Sequence, residues 1–255
     1  MSTWVLLRGL ARDSRHWGNF PALLAAALPD GSRVLALDLP GNGALHAQRS
    51  PCSVAGMVDA YRDMLKAERP IGGLNVLGLS LGAMVAIEWA HRYPGELESV
   101  VLVNGSVGGL SAPSQRLLPA AAVQLALSAV ARDDLARERR IIAACSNRPD
   151  SGIAAALWAR LAAGAHTNGL DVARQLVAAA RFRLPAARPR VPLLVLASTA
   201  YRVVSVECSI ALARAWSLPI LLHPGAGHEL ALDDAAWLAR QCGRWVGGLH
   251  VPHAG

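Results

Sequence analysis

The stretch Leu74-Asn75-Val76-Leu77-Gly78-Leu79-Ser80-Leu81-Gly82-Ala83-Met84-Val85-Ala86 limits what this chain can fold into more than any other. An apolar run short enough for a buried strand meets Gly-x-Ser-x-Gly, and an Ala-rich helical pattern begins at once. Strand, sharp turn and helix in direct succession hold a serine on a strained bend, with its hydroxyl projecting above a parallel sheet. Gly78 and Gly82 stand two residues either side of Ser80, where a Cβ would crowd that bend. The plainer alternative is a glycine-rich turn with an incidental serine, and the strand and helix patterns flanking the pentapeptide argue against it.

Around this stretch, apolar runs predict strands at 3–7, 33–38, 74–79, 99–103, 191–197 and 219–222. Helices are predicted at 21–28, with Pro21 at the opening turn, and at 53–66, with Ser53 as cap. Others run from the serine turn to about Arg92, over 205–216, and from Asp233 to about Val246. The Val-rich run at 99–103 does not alternate, so it reads as buried on both faces. Regular alternation of strand and helix argues for a doubly wound α/β fold, a parallel sheet with right-handed crossovers and helices on both faces. From 105 to 190 the strand signal vanishes, and Ala, Leu and Arg recur at helical spacing, punctuated by Pro113, Pro119, Pro149, Pro185 and Pro189. The expected organisation is a core of 1–104 and 191–255 with a helical cap at 105–190 lying over the strand ends as a lid. A separate, purely structural helical subdomain is the alternative.

Composition narrows the function classes. With 255 residues and 53% hydrophobic content, the chain can bury the core of one α/β domain. The formal charge of +7 comes from dispersed residues, with no run beyond Arg137-Glu138-Arg139-Arg140, which argues against nucleic acid and mildly favours anionic substrates. Cys52, Cys145, Cys208 and Cys242 have neither metal-type spacing nor the density of a disulfide scaffold, as expected in a reducing compartment. The apolar run at 4–7 is too short for a signal peptide, and no stretch reaches transmembrane length, so a cytoplasmic enzyme with no membrane partner is expected. No His-x-x-x-His, cysteine pair or Asp cluster suggests a metal. Gly41 and Gly43 do not open a dinucleotide fingerprint, so no cofactor is expected.

A serine becomes an acyl-transfer nucleophile only if a base takes its proton. His228 is the best placed of the eight histidines, in the glycine-rich loop His223-Pro224-Gly225-Ala226-Gly227-His228 after the last strand. His223 precedes a proline at the strand end, and His16, His46, His91 and His166 lack that context. The oxygen that becomes negative in the tetrahedral intermediate needs two N–H donors, and this topology offers the amides of Leu81 and Leu10.

With these residues in order, the chain resembles the α/β-hydrolase family over nearly its whole length. The matching segments are the loop after the first strand, Asp38-x-Pro-Gly-x-Gly, the Gly78–Gly82 turn, the helical cap and the terminal Gly-x-Gly-His228. The resemblance implies a nucleophile at Ser80, a base at His228 and oxyanion donors at Leu10 and Leu81. It also implies a substrate among esters, thioesters, lactones or amides of small acids.

Three departures stand out. The family's opening antiparallel hairpin is expected to be missing, leaving an essentially all-parallel sheet of about six strands. The family's usual His-Gly after the first strand is Arg8-Gly9, and Arg8 is expected to tie down its loop through a carboxylate or carbonyl rather than bind substrate, since an unpaired buried charge is costly. Where the family carries Asp in Gly-x-x-Asp-x-x-Val, this chain has Ser198-Thr199-Ala200-Tyr201-Arg202-Val203-Val204, so Tyr201 replaces the triad acid. A phenol is neutral near pH 7 and cannot stabilise an imidazolium as a carboxylate does.

Three readings remain open on the sequence. The first is a Ser-His carboxylic ester hydrolase slowed by the missing acid. The second takes the acid from Glu207, Asp233 or Asp234; the turn after the fourth strand, an alternative acid position in some relatives, carries the uncharged Asn104. The third is a non-catalytic protein that binds a small molecule. Acyl transfer or carbon–carbon bond hydrolysis would use the same groups. Whether the chain is a monomer or a homodimer is not decided by the tryptophans at 89, 158, 216, 237 and 245, which could be core or interface.

Overall fold

The computed structural model describes residues 1–249, so the end of the expected core segment, 250–255, lies outside the described residues. The first part of the chain alternates as β1 (Ser2–Leu7), α1 (Phe20–Ala27), β2 (Arg33–Leu37), α2 (Val54–Glu68), β3 (Gly73–Leu79), α3 (Leu81–Arg92) and β4 (Leu97–Val103). Five helices follow without a strand: α4 (Pro113–Arg116), α5 (Pro119–Ala129), α6 (Asp134–Cys145), α7 (Ser151–Ala162) and α8 (Gly169–Arg181). Alternation resumes with β5 (Leu193–Ser198), α9 (Val206–Trp216), β6 (Ile220–His223), α10 (Leu230–Asp233) and α11 (Ala235–Leu249).

The six strands form one sheet in the order β2-β1-β3-β4-β5-β6, and every neighbouring pair is parallel. This is the doubly wound, all-parallel arrangement that the sequence predicts. Successive side chains of a strand point to opposite faces, and each face builds its own core. Val5, Leu7, Leu74, Val76, Val100, Leu102, Leu193 and Val195 pack with α2, α3 and α9. Trp4, Leu6, Leu77, Leu79, Val101, Val103, Leu194 and Leu196 pack on the other face with Phe20 and Leu24 of α1 and Leu238 and Cys242 of α11.

The strand order turns back on itself between β1 and β3, since the chain leaves β1 toward β2 and later returns to β1's other side. In parallel sheets the crevice beyond the carboxyl ends of the strands at such a reversal is where ligands bind. The loop after β1 and the turn after β3 both open there.

One boundary differs from expectation. Asp233 does not open the closing helix; it ends the short helix α10, and α11 starts at Ala235. Asp234 Oδ1 accepts from the Trp237 amide, so the cap position is taken by the next aspartate. The elsewhere expected cap holds: Ser53 Oγ accepts from the Gly56 amide at the start of α2. Trp89, Trp158 and Trp216 are buried.

A Cβ at Gly82 would overlap the Leu7 carbonyl oxygen, and one at Gly78 would overlap the Gly82 carbonyl oxygen. Both obstacles are backbone and cannot rotate away, so α3 would have to withdraw from β1 and β3. Gly82→Ala should therefore lower stability by about 2 kcal/mol or more, read as a shift in the urea midpoint. A Gly95→Ala control, where the Cβ meets nothing within 4 Å, should leave that midpoint nearly unmoved.

Candidate active site

Ser80 sits between the last residue of β3 and the first of α3 with φ 59° and ψ −114°. A non-glycine residue there stores roughly 1–3 kcal/mol of backbone strain, held only because surrounding contacts dictate it. Those contacts are present. The Ser80 amide donates to the Val103 carbonyl at 2.9 Å, and the Ser80 carbonyl accepts from the Ala83 amide at 3.0 Å. On the β1 side a Cβ at Gly9 would lie 3.2 Å from Ser80 Cβ, so the glycine of Arg8-Gly9 lets this loop close on the serine.

His228 approaches the same carboxyl edge from the far end of the chain. Its backbone is fixed by Asn104, the residue after β4, itself at φ 47°. Asn104 Nδ2 donates to the His228 carbonyl at 2.9 Å, and Asn104 Oδ1 accepts from the Ser198 amide at 2.9 Å. Asn104 thus staples the end of β5 to the histidine loop, a use of the uncharged residue that its sequence position did not announce. The Glu229 amide donates to the Cys145 carbonyl at the end of α6, and a Cβ at Gly227 would press within 2.6 Å of that carbonyl. Ser80 and His228 therefore both lie at the carboxyl edge of the sheet, their backbones bonded to Val103 and Asn104, consecutive residues at the end of β4.

The His228 ring is buried, and its Nδ1 has no hydrogen-bond partner. Burial pushes the imidazole pKa down to about 4; the neighbouring Glu229 carboxylate opposes that shift and Arg8 adds to it. Tyr201 lies against the ring, 5.5 Å between centroids, but its hydroxyl turns away, donating to the Ser205 carbonyl at 3.2 Å and lying 3.4 Å from Ser209 Oγ. Burial holds that phenol in its neutral form by raising its pKa. Tyr201 therefore gives the imidazole no hydrogen-bond acceptor.

None of the other candidate acids bonds the His228 ring. Glu207 is exposed in the first turn of α9. Asp233 accepts from the Gly227 amide at 2.6 Å, the Asn147 amide at 2.9 Å and Ser146 Oγ at 2.5 Å. Asp234 serves the Trp237 amide and His223 Nε2. His223 Nδ1 accepts from the amides of Gly225 and Ala226, which makes it a support of the loop rather than a free base.

The amides around Leu10 and Leu81, the expected oxyanion donors, differ in what they bond. The Ala11 amide donates to Gln175 Oε1 at 2.8 Å, and the Arg12 amide donates to the Gly9 carbonyl at 3.3 Å. Among the described residues neither the Leu10 amide nor the Leu81 amide is spent on a hydrogen bond. Ala11 itself adopts φ 54°, the bend that separates the two roles.

Arg8 is buried and pairs through Nη2 with Glu229 at 2.8 Å, its guanidinium stacked over Trp17 at 4.7 Å. Its Nε and Nη1 are equally closed off from solvent. A second buried pair, Arg12 with Glu138 of α6 at 2.8 Å, fixes the same loop to the helical insert, with Arg12 over the Trp158 ring of α7 at 4.5 Å. His16 next to it is held below its usual range, mainly by burial.

No group of three or more His, Cys, Asp or Glu side chains suited to a metal occurs among the described residues, and none of their helices is long and apolar enough to cross a membrane. A surface groove of about 520 Å³, lined by Pro192, Leu193, Pro219 and Trp245, lies at the amino ends of β5 and β6, across the sheet from Ser80.

A parallel α/β sheet with a strained serine at its switch point and a histidine from its last loop defines a class of fold built for nucleophilic chemistry. Residues 4–241 match the model of the Alpha/beta hydrolase family, and the chain belongs to that family. Among solved structures it is similar over 98% of its length to a thermophilic esterase from Thermogutta terrifontis, with 90% of that chain covered, a TM-score of 0.74 and 19% identity. It is also similar to the enol-lactonase from Burkholderia xenovorans LB400, with 96% of this chain and 91% of that one covered, TM-score 0.74 and 22% identity. These likenesses establish the fold. By sequence it is 38% identical over 91 residues to a pimeloyl-[acyl-carrier protein] methyl ester esterase of Chromobacterium violaceum, covering 36% of this chain and 33% of the relative. It is 32% identical over 114 residues to a 2-hydroxy-6-oxononadienedioate/2-hydroxy-6-oxononatrienedioate hydrolase of Pseudomonas putida, covering 43% of this chain and 38% of the relative. The matched segments span about a third of the length of these curated relatives.

Breaking a buried ion pair by removing one partner strands a charge, whereas replacing both by apolar groups need not. Arg8→Met should cost about 3–5 kcal/mol in stability, and adding Glu229→Leu should recover most of it, both read from urea unfolding. A single variant as stable as the parent, losing only affinity for anionic ligands, would reassign Arg8 to ligand binding.

Proposed function

We propose that this chain is a serine hydrolase of small carboxylic esters, with Ser80 as nucleophile, His228 as base and the amides of Leu10 and Leu81 as oxyanion donors. One observation carries the reading: Ser80 is held at φ 59° on an edge where those two amides are left without acceptors. Backbone strain that the fold maintains at a ligand-binding edge is typical of a functional position.

In the proposed reaction Ser80 Oγ attacks the ester carbonyl carbon while His228 Nε2 takes the hydroxyl proton. The carbonyl oxygen, now negative, is met by N–H donors that need no reorganisation. Collapse of the tetrahedral intermediate breaks the ester C–O bond, and the leaving alcohol takes the proton from His228. Water, activated by the same imidazole, then releases the acid and regenerates Ser80. The helical insert at 105–190 acts as a cap setting substrate size, since α6, through the Cys145 carbonyl, and α8, through Gln175, are bonded to both catalytic loops.

The missing acid sets the rate. An imidazole whose Nδ1 finds no partner has no fixed tautomer, and one titrating at about 4 is a weak base for a serine hydroxyl. Loss of the acid from such a triad costs up to about four orders of magnitude in turnover. The same orphaned ring favours a second reading, a small-molecule-binding protein that keeps the fold without turnover.

A serine-reactive phosphonate separates the two. Labelling of Ser80 that disappears in His228→Ala supports the hydrolase, and absence of labelling, with a ligand bound equally by the parent and Ser80→Ala, supports the binding protein. Tyr201→Asp should raise kcat on a short-chain nitrophenyl ester at least about tenfold, part of the loss expected for a missing acid.

The pH profile follows from the imidazole. Only the neutral ring accepts the Ser80 proton, so kcat/KM should hold from pH 7 down to about 5 and fall as pH drops through about 4. In Tyr201→Asp that acid limb should move upward, because a carboxylate beside the ring favours its protonated form.

A further inference from the structure

Helix α8 is docked the wrong way round for an ordinary amphipathic helix. Asp171, Gln175 and Ala178, one face at i, i+4 and i+7, are buried, while Leu170, Leu176 and Val177 are 80%, 46% and 39% exposed. Burying a polar stripe is costly unless every group on it is bonded, and here each is. Gln175, fully buried, accepts from the Ala11 amide at 2.8 Å and donates through Nε2 to Asn42 Oδ1 at 2.7 Å and Ser50 Oγ at 2.9 Å. Asp171 accepts from the Ser50 amide at 2.8 Å and from Asn168 Nδ2 at 2.6 Å. Asn42 Nδ2 in turn donates to the Arg12 carbonyl at 2.9 Å. A local rule broken with full compensation marks a position kept for something other than stability.

We propose that Gln175 is a positioning residue for the oxyanion donor, and that through it the docking of α8 sets the geometry of the loop after β1. The inference rests on the hydrolase reading above. Ala11 and Leu10 are consecutive, and Ala11 is held in a left-handed conformation. The Gln175 oxygen captures the Ala11 N–H, fixing the peptide plane that follows Leu10 and leaving the Leu10 N–H free to face the substrate oxygen. Without that acceptor the half-buried Ala11 amide would be left unsatisfied, and the loop would relax by turning it toward another acceptor. That turn is taken up in the torsions at Leu10, so the direction of the Leu10 N–H in the preceding peptide plane shifts with it. Gln175 touches no reacting atom; it acts on catalysis through Ala11 and Leu10.

The test compares Gln175→Leu with Asp171→Ala, which removes the other α8 tether from the same network while leaving the Ala11 bond intact. Steady-state kinetics on a short-chain nitrophenyl ester, thermal unfolding and hydrogen exchange of the Ala11 amide are measured on the full-length protein. Gln175→Leu is expected to lower kcat about tenfold or more, a fraction of what losing a whole oxyanion donor costs, with KM changed less than about twofold and Ala11 exchange accelerated. Asp171→Ala is expected to lower the unfolding temperature with kcat within about twofold of the parent.

Equal losses of kcat in the two variants would reduce Gln175 to a structural contact and overturn the proposal. So would unchanged kcat in Gln175→Leu once Ala11 exchange has accelerated, and so would unchanged Ala11 exchange. A parent protein with neither turnover nor phosphonate labelling overturns the hydrolase reading, and the catalytic role of Gln175 falls with it; Ala11 exchange then still decides whether the tether exists.

Discussion

The close approach of α3 to the ends of β1 and β3 is the constraint on which the rest of the structure depends. Glycines at 78 and 82 let the helix start directly over the sheet, where a Cβ at either would strike backbone carbonyls. With the helix that close, the residue joining strand to helix has no relaxed conformation, and Ser80 takes φ 59°. The strain is offset by hydrogen bonds to β4 and α3 and by the apolar packing of α3 against β3 and β4. The same approach aims the first amides of α3 at the crevice where the strand order reverses, so the position of Ser80 and the direction of those amides share one steric cause.

The loop after β1 closes that crevice, held by ties to several other elements. Arg8 binds Glu229 beside the histidine, Ala11 is held by Gln175 of α8, Arg12 binds Glu138 of α6, and the Ser14 amide donates to Asp38 after β2 at 2.6 Å. Two of these are buried ion pairs, weak contributors to net stability but severe to disrupt from one side. Their effect is on specificity of arrangement: each couples the loop to a different element, so the helical insert and the histidine loop cannot shift independently of it. Arg8, in place of the histidine expected from the family resemblance, gives this chain an ionic latch between the loop after β1 and the loop that carries His228.

Much of the site was legible because its signals are local. Gly-x-Ser-x-Gly between a strand and a helix pattern needs no tertiary knowledge, and the alternation of elements predicts a parallel sheet whose loops gather at one edge. The partners of buried polar groups were not legible, because they lie far apart in sequence. Glu229 is 221 residues from Arg8, and Gln175 is 164 from Ala11. Helix α8 runs against simple expectation: Leu170, Leu176 and Val177 are exposed, while its buried face is Asp171, Gln175 and Ala178. A polar stripe at i and i+4 on a helix beside an active site is the signal that could have pointed there. Asp233 misled in a smaller way, since an aspartate before a helical pattern looks like a cap and here serves the Gly227 amide instead.

The sequence by itself determined the class of fold, the serine on its turn, the histidine after the last strand and the absence of a carboxylate at position 201. Each of these is written in residue type and short spacing, which backbone sterics translate directly into geometry. Only the tertiary structure decided what surrounds them: that the Tyr201 hydroxyl faces away from His228, that no other carboxylate reaches the ring's Nδ1, that Arg8 is neutralised by Glu229, and that α8 docks by its polar side. Those outcomes depend on which distant groups satisfy one another once water is excluded, and a buried donor's choice of acceptor is settled by packing, not by its neighbours in the chain.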